Sequence, residues 1–308
     1  MRTANDNSDW LVCEQTRLAA AQLGLFLRKA VTAEDVQIRV MALDLIERGG
    51  KRLRPSLLFL AATYGEFVQE PLMRAAAALE LVHIASLYHD DVMDRAPMRR
   101  NGASVNARWG NALAALAGTY LFARASALLA SLGDIPNQMA SQASVELCAG
   151  QLQEVENAYN LELTEAGHLN MVVRKTATLF ELPCRLGAHL SGASAPHAEA
   201  LATYGRHLGL AFQLTDDVLD LTGKASQLGK ATGVDLREGV YSLPVLRAVR
   251  QQDAGGQRLR ELLGQAWLAE EDAQTALQLV RESAGVASTL AVAREHAQRA
   301  REALATLP

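Results

Sequence analysis

The sequence predicts an all-α fold, organised as a single helical domain over residues 1–308. Three observations predict it. Apolar residues recur at helical spacing nearly throughout the chain. Helix breakers are few and fall between the apolar runs. Alanine and leucine dominate while aromatics make up only 5% of the residues, a balance that favours helix over strand. With 49% apolar and 21% charged residues, a chain of 308 is long enough to bury a large core.

The runs can be taken in order. QTRLAAAQLGLFLRKAV (15–31), VMALDLIERG (40–49), MRAAAALELVHIASLYHD (73–90) and SVELCAGQLQEVENAYN (144–160) are followed by LATYGRHLGLAFQLTDDVLDL (201–221) and QTALQLVRESAG (274–285). Between them stand Gly49-Gly50 with Pro55, Pro71, Pro97 with Gly102, Gly133 with Pro136, Pro196, and Gly239 with Pro244. No alternating strand pattern and no Pro/Ser/Gly-rich linker interrupts the chain. Several runs are apolar all round, which places those helices centrally rather than on the rim of a simple bundle. From Arg281 onward the chain reads as a terminal helix whose REHAQRARE section is a solvated face.

The bulk numbers also exclude some classes. A net charge of −4 gives no general attraction for nucleic acid or anionic membrane. MRTANDNSDW has no apolar core to serve as a signal peptide. The longest uncharged apolar stretch, WGNALAALAGTYLFA between Arg108 and Arg124, falls short of the ~20 residues a membrane span needs. The expectation is a cytoplasmic protein with no transmembrane segment. Cys13, Cys148 and Cys184 share no metal-type spacing and suit a reduced setting.

The chemistry concentrates in two aspartate triads. HDDVMDRAPMRR places Asp90, Asp91 and Asp94 at the end of an apolar run, with Arg99 and Arg100 just beyond. QLTDDVLDL repeats the D-D-x-x-D spacing as Asp216, Asp217 and Asp220. On a helix, the first and last aspartates of each triad share a face one turn apart, where like charges repel and the helix dipole is already negative. A solvated helix end explains one such cluster. Two, each following an apolar helix, are better explained as facing walls of one cavity. Oxygen-only ligands at this spacing suit Mg²⁺, which takes one or two carboxylates and completes its shell with water and substrate phosphate. The basic residues Lys51 and Arg54 in GGKRLRP, Arg99-Arg100, Lys175 in KTATLF and Lys230 in LGKATG complete the picture. A site for two polyphosphates, one bridged through metal and one held directly, satisfies both sets of charges.

Together, GGKRLRP, HDDVMDRAPMRR, KTATLF and FQLTDDVLD…GK…DLREG…SLP resemble the trans-isoprenyl diphosphate synthase (polyprenyl synthetase) family in order and spacing, over about residues 45 to 250. The resemblance implies an isoprenoid-synthase fold with helices around a central apolar cavity, a homodimer, and condensation of isopentenyl diphosphate with an allylic diphosphate. By the same resemblance Asp90, Asp94 and Asp216 bind Mg²⁺, with Asp91, Asp217 and Asp220 in support. Arg99, Lys175, Thr176, Gln213 and Lys230 contact the allylic diphosphate, while Lys51, Arg54, His83 and Arg100 hold the metal-free isopentenyl diphosphate. Three positions depart from the family: Val240 replaces a usual lysine, Thr119 in Gly118-Thr119-Tyr120 replaces an acid, and the chain stops at ALATLP before the customary last helix and terminal arginine.

Such a reaction ionises a C–O bond, so cations aimed at the leaving diphosphate and a dry apolar surround carry the catalysis. No side-chain nucleophile is required. Product length follows from geometry. One helical turn rises ~5.4 Å, close to one isoprene unit, so Ser86, Ala85, Val82 and Ala78 mark successive depths below Asp90. In the family a bulky residue five before the first aspartate goes with short products, and the small Ala85 points to C20 or longer. The opposing expectation is that Tyr120 or Phe122 closes the tunnel.

Three rival readings remain. A di-iron carboxylate site would use the E-x-x-H pairs Glu80/His83 and Glu165/His168, though Gly167 weakens the second helix. A class I terpene cyclase would share the metal chemistry but has no need of Lys51, Arg54 and Arg100. A weakly active subunit that binds prenyl diphosphates and modulates a partner is the third, favoured by the three departures. His89, His207 and the cysteines read as packing or hydrogen-bonded residues.

Overall fold

A computed structural model describes residues 13–100, 102–223, 232–265 and 268–308. By its internal contacts the chain divides into two compact units. One comprises the residues up to 142 with 182–202, the other 143–181 with 203–308. The described residues are helical apart from loops and one two-stranded hairpin, so the all-α expectation holds.

The first unit opens with α1 (Glu14–Ala30), α2 (Val36–Glu47) and α3 (Leu53–Ala62), and centres on α4 (Gln69–Met93). Asp35 caps α2 by accepting from the Ile38 amide at 2.9 Å. Gly49 (φ +73°) and Arg52 (φ +47°) turn the chain sharply between α2 and α3. α4 is buried on nearly all sides. Ala75, Ala76, Ala77 and Ala78 are all fully buried, and these small side chains let α6 (Asn111–Ala130) pack along it with Ala114, Ala117, Gly118, Leu121 and Ala125 inward. A Cβ on Gly118 would stand 2.6 Å from the His89 ring, so any larger residue there would have to displace that ring. A helix apolar all round thus lies at the centre of this unit, as its sequence requires.

The hairpin was not legible in the sequence. β1 (Met98–Arg99) pairs antiparallel with β2 (Gly102–Ala103), two residues a side, and strands this short leave no alternation to read. It is followed by α5 (Val105–Trp109). α6 also corrects the sequence estimate. As a 20-residue helix that runs past Arg124, it is long and apolar enough to cross a membrane by length and composition alone. It packs on α4, and Arg124 donates to the Ala30 carbonyl at 2.6 Å.

The second unit takes the later part of α7 (Asp134–Glu156), α8 (Glu165–Val172), a π-helical turn (Val173–Ala177), the start of α9 (Thr178–Leu190) and most of α10 (Ala195–Thr222). It continues with α11 (Val234–Arg237), α12 (Leu243–Val249), α13 (Ala254–Leu263), α14 (Glu270–Glu282) and α15 (Ala284–Leu304). One of its cores joins Val245, Leu246, Leu259, Leu262, Leu277 and Val280. Pro55, Pro71, Pro136, Pro196 and Pro244 all lie within the first turn of a helix, where a missing N–H costs nothing. They open helices rather than separate them.

Candidate active site

In the first unit, α4 ends inside its triad. Asp90 is half-buried, Asp91 is buried, and Asp94 is the exposed C-cap, its amide donating to the Asp90 carbonyl at 2.8 Å. Arg99 reaches back from β1 and donates from Nε to Asp91 Oδ1 at 2.8 Å. Burial raises the Asp91 carboxyl above the ordinary range, while the Arg99 guanidinium pulls it down. Arg48, at the end of α2, donates to the carbonyls of Arg99 (2.9 Å) and Ala103 (2.8 Å) and is itself paired with Asp44 at 2.7 Å. The hairpin is thereby pinned to α2. Gly102 leaves room for that guanidinium, because a Cβ there would lie 2.5 Å from it.

Arg100, at positive φ (+48°), donates to the Leu45 carbonyl at 3.0 Å and to the Gly49 carbonyl. A cation on the Leu45 carbonyl, in the last turn of α2, also suits the helix dipole. Beside it Arg54, Glu80 and His83 form an electrostatic group. Burial pulls the Arg54 guanidinium down to about 10 and raises the Glu80 carboxyl, and each favours the other's charged form. Burial, then the Arg54 and Arg100 charges, hold the His83 imidazole well below its usual range and so neutral. Lys51 is exposed on the 49–52 turn. Of the predicted metal-free diphosphate pocket, the structure groups Arg54, His83 and Arg100 around Glu80.

Beneath Asp90, Ala85, Val82 and Ala78 are buried in the first unit, and Ser86 is half-buried with its hydroxyl on the His83 carbonyl at 2.9 Å. The Tyr120 hydroxyl points to the end of α1, donating to the Val31 and Thr32 carbonyls at 3.4 and 3.3 Å.

In the second unit the triad lies within α10, which continues to Thr222. Asp216 is exposed, whereas Asp217 and Asp220 are buried. Gln213, one turn earlier, donates its amide to Asp217 Oδ1 at 2.8 Å and accepts from the Thr176 hydroxyl at 2.9 Å. Thr176 and Lys175 lie in the π-helical turn, a distortion common at functional sites. Gly150 on α7 and Gly209 on α10 make the turn possible, for a Cβ on either would stand 2.6 Å from the backbone of Lys175 or Ala177. Lys175 is ion-paired with Glu154 on α7. Lys230 lies outside the described residues.

The carboxylates suit a divalent cation that shares its shell with substrate. Among the described residues no three His, Cys, Asp or Glu side chains alone could hold a metal. Asp90, Asp94 and Asp216 retain exposure while Asp91 and Asp217 are buried and held by donors. One or two reachable carboxylates, with water and phosphate oxygens completing the shell, is the donor set of Mg²⁺. The di-iron reading finds no support, because Glu165 is taken by Arg247 through two hydrogen bonds of 2.7 and 3.1 Å. Sequence reasoning missed Arg48 and Glu154 altogether. Neither carries a motif; only their positions beside the hairpin and Lys175 mark them.

Helices that carry two aspartate triads, each backed by a buried carboxylate held by donors, suit a protein that acts on anionic substrates with the help of a divalent cation. The chain belongs to the polyprenyl synthetase family, which it matches over residues 36–280 and so through both units, and it is a trans-prenyl diphosphate synthase. It is 40% identical over 227 residues to heptaprenyl diphosphate synthase component 2 of Geobacillus stearothermophilus, covering 73% of this chain and 71% of that protein. It is 36% identical over 305 residues to nonaprenyl diphosphate synthase of Mycobacterium tuberculosis, covering 98% and 91%. Among solved structures, the polyprenyl synthase of Caulobacter crescentus CB15, complexed with calcium and isoprenyl diphosphate, is similar with a TM-score of 0.90 at 34% identity, over 96% of this chain and 91% of that one. The family resemblance read from the motifs is borne out.

Proposed function

We propose that this synthase condenses isopentenyl diphosphate head to tail with an allylic diphosphate, in the presence of Mg²⁺, to give an all-trans product of C20 or longer. The observation that carries this reading is the pair of triads, each with at least one exposed carboxylate beside a buried one held by donors. Asp90, Asp94 and Asp216 would hold Mg²⁺, with Asp91, Asp217 and Asp220 supporting them. An ion held by these carboxylates would supply positive charge against the departing diphosphate.

The remaining work falls to the chain's own groups. Arg99, Lys175 and Lys230 set fixed positive charge against the allylic diphosphate, and Thr176 and Gln213 orient its oxygens. Before substrate arrives, Asp91 holds Arg99 and Glu154 holds Lys175, so both cations are already positioned. Lys51, Arg54, His83 and Arg100 bind the second diphosphate, with His83 neutral and serving as a hydrogen-bond partner. The apolar turns of α4 at Ala85, Val82 and Ala78 give the growing chain a wall without a bulky plug, and keep water from the allylic cation.

A cytoplasmic homodimer is the assembly this reading assumes. A second reading, a subunit working with a different partner chain, draws on the component 2 relative and on Val240 at a position where the family carries lysine. Incubating the purified protein alone with labelled isopentenyl diphosphate and an allylic primer, then sizing the products, tests both. Metal-dependent products of C20 or more are expected. Turnover only after a partner is added would favour the subunit, and none under either condition would refute the synthase reading.

A further inference from the structure

His168 lies on α8, whose start is fixed by Thr164: its hydroxyl accepts from the Gly167 amide at 3.0 Å, and its carbonyl accepts from the His168 amide at 2.9 Å. The imidazole is buried (3% exposed), and neither ring nitrogen has a hydrogen-bond partner among the described residues. Its Nε2 stands 3.5 Å from Oδ2 of Asp217, itself only 5% exposed and likewise without a hydrogen bond on that oxygen. A buried ring beside a buried carboxylate, each with an unmade hydrogen bond facing the other, calls for an explanation.

Resting on the proposed function, we infer that His168 is a positioning residue for the second triad. Its ring donates Nε2–H to Asp217 Oδ2 when α10 is loaded with metal and diphosphate. The carboxylate is already held at Oδ1 by Gln213, which Thr176 orients in turn. A second donor at Oδ2 fixes the plane of the carboxylate from both ends. Hydrogen bonds of this kind are often long in the empty protein and tighten on loading, and donors behind metal-site carboxylates commonly set affinity by tenfold or more. A small rotation of either side chain would bring 3.5 Å into the usual range. The sequence offered only the E-x-x-H spacing, which pointed to iron.

The test uses the full chain with His168→Phe, which keeps a ring of similar size but no donor, and His168→Gln, whose amide reaches about as far as Nε2. Binding of inorganic pyrophosphate in the presence of Mg²⁺ is measured by calorimetry. His168→Phe should weaken it about tenfold and lower kcat with KM for isopentenyl diphosphate unchanged, while His168→Gln should stay within about threefold of wild type. In the metal-free protein, the ¹⁵N ring signals of His168 should show the Nε2–H tautomer and shift on Asp217→Asn, a readout that survives if the phenylalanine variant fails to fold. Wild-type affinity and kcat in His168→Phe, or a glutamine variant as impaired as the phenylalanine one, would overturn the inference. Asp216→Ala separates the two layers: if it stays within about tenfold of wild-type kcat/KM, the proposed function itself fails, whereas an Asp216→Ala variant impaired about 10³-fold beside an unaffected His168→Phe sinks only the role of His168.

Discussion

The triads on α4 and α10 share one spacing and differ in how their charge is balanced. On α4 the helix stops within the motif, Asp94 is an exposed cap, and the buried Asp91 meets a full cation, Arg99, from a hairpin eight residues on. On α10 the helix runs past the motif, Asp220 is buried, and Asp217 meets a neutral amide from Gln213 and the ring of His168. The same five-residue pattern therefore specifies which face of a helix bears carboxylates and leaves their compensation to the surroundings. A cation partner is strong and costly to remove. Neutral donors are weaker singly and tolerate loss better.

The largest effects test whether both triads serve catalysis. Asp90→Ala and Asp216→Ala should each lower kcat/KM by about 10³-fold, roughly 4 kcal/mol of transition-state stabilisation, at saturating Mg²⁺. If either variant stays within about tenfold of wild type by steady-state product assay, that triad does not hold the metal, and the parallel between them is lost.

Smaller effects should expose the difference in balance. Arg99→Ala leaves Asp91 buried without its cation and should destabilise the protein by about 3 kcal/mol in urea unfolding, the low end for a broken buried pair because Arg99 is partly exposed. Adding Asp91→Asn should recover most of that loss. Gln213→Ala should cost only about 1.5–2 kcal/mol, one hydrogen bond to a charged group. Equal losses would erase the distinction between a cationic and a neutral support.

Matched positions sharpen it further. Ala85 and Ala211 both stand five residues before the first aspartate of their triads and are both buried. Phenylalanine at either site should cost about 1–3 kcal/mol through overpacking. Only Ala85→Phe should shorten the product, as read by mass spectrometry. A shift from Ala211→Phe of equal size would show that α4 is not the ruler.

The smallest effect is a pH dependence belonging to the first unit. His83 is held neutral by burial and the Arg54 and Arg100 charges, whereas the unfolded chain takes up a proton near 6.5. Its contribution to stability is therefore complete above pH 6.5 and declines as pH falls from there toward the depressed folded value. The slope from this one group is at most about 1.4 kcal/mol per pH unit. His83→Gln should remove that component from a series of unfolding curves; an unchanged slope would mean that His83 ionises normally in the fold.

Much of this was legible beforehand, and particular residues show why. The period of apolar residues marked α4 and α10 as helices, and the triads followed directly from their one-turn spacing. Arg99, Thr176 and Gln213 carried motif signals, and the structure seats each beside a carboxylate or its partner. What could not be read was short or distant. The hairpin has two residues a side, Arg48 lies 51 residues before the Arg99 carbonyl it holds, and Glu154 lies 21 residues before Lys175.

By itself, then, the amino-acid order determined the helices and which of their faces carry acid, because both depend on residues within one or two turns of each other. Only tertiary packing decided that Asp91 faces an arginine, and that Asp217 faces an imidazole in addition to the amide one turn back on its own helix. A buried charge answers to whatever the fold places within hydrogen-bond reach, and in the case of His168 and Asp217 that neighbour comes from a helix far away in the chain.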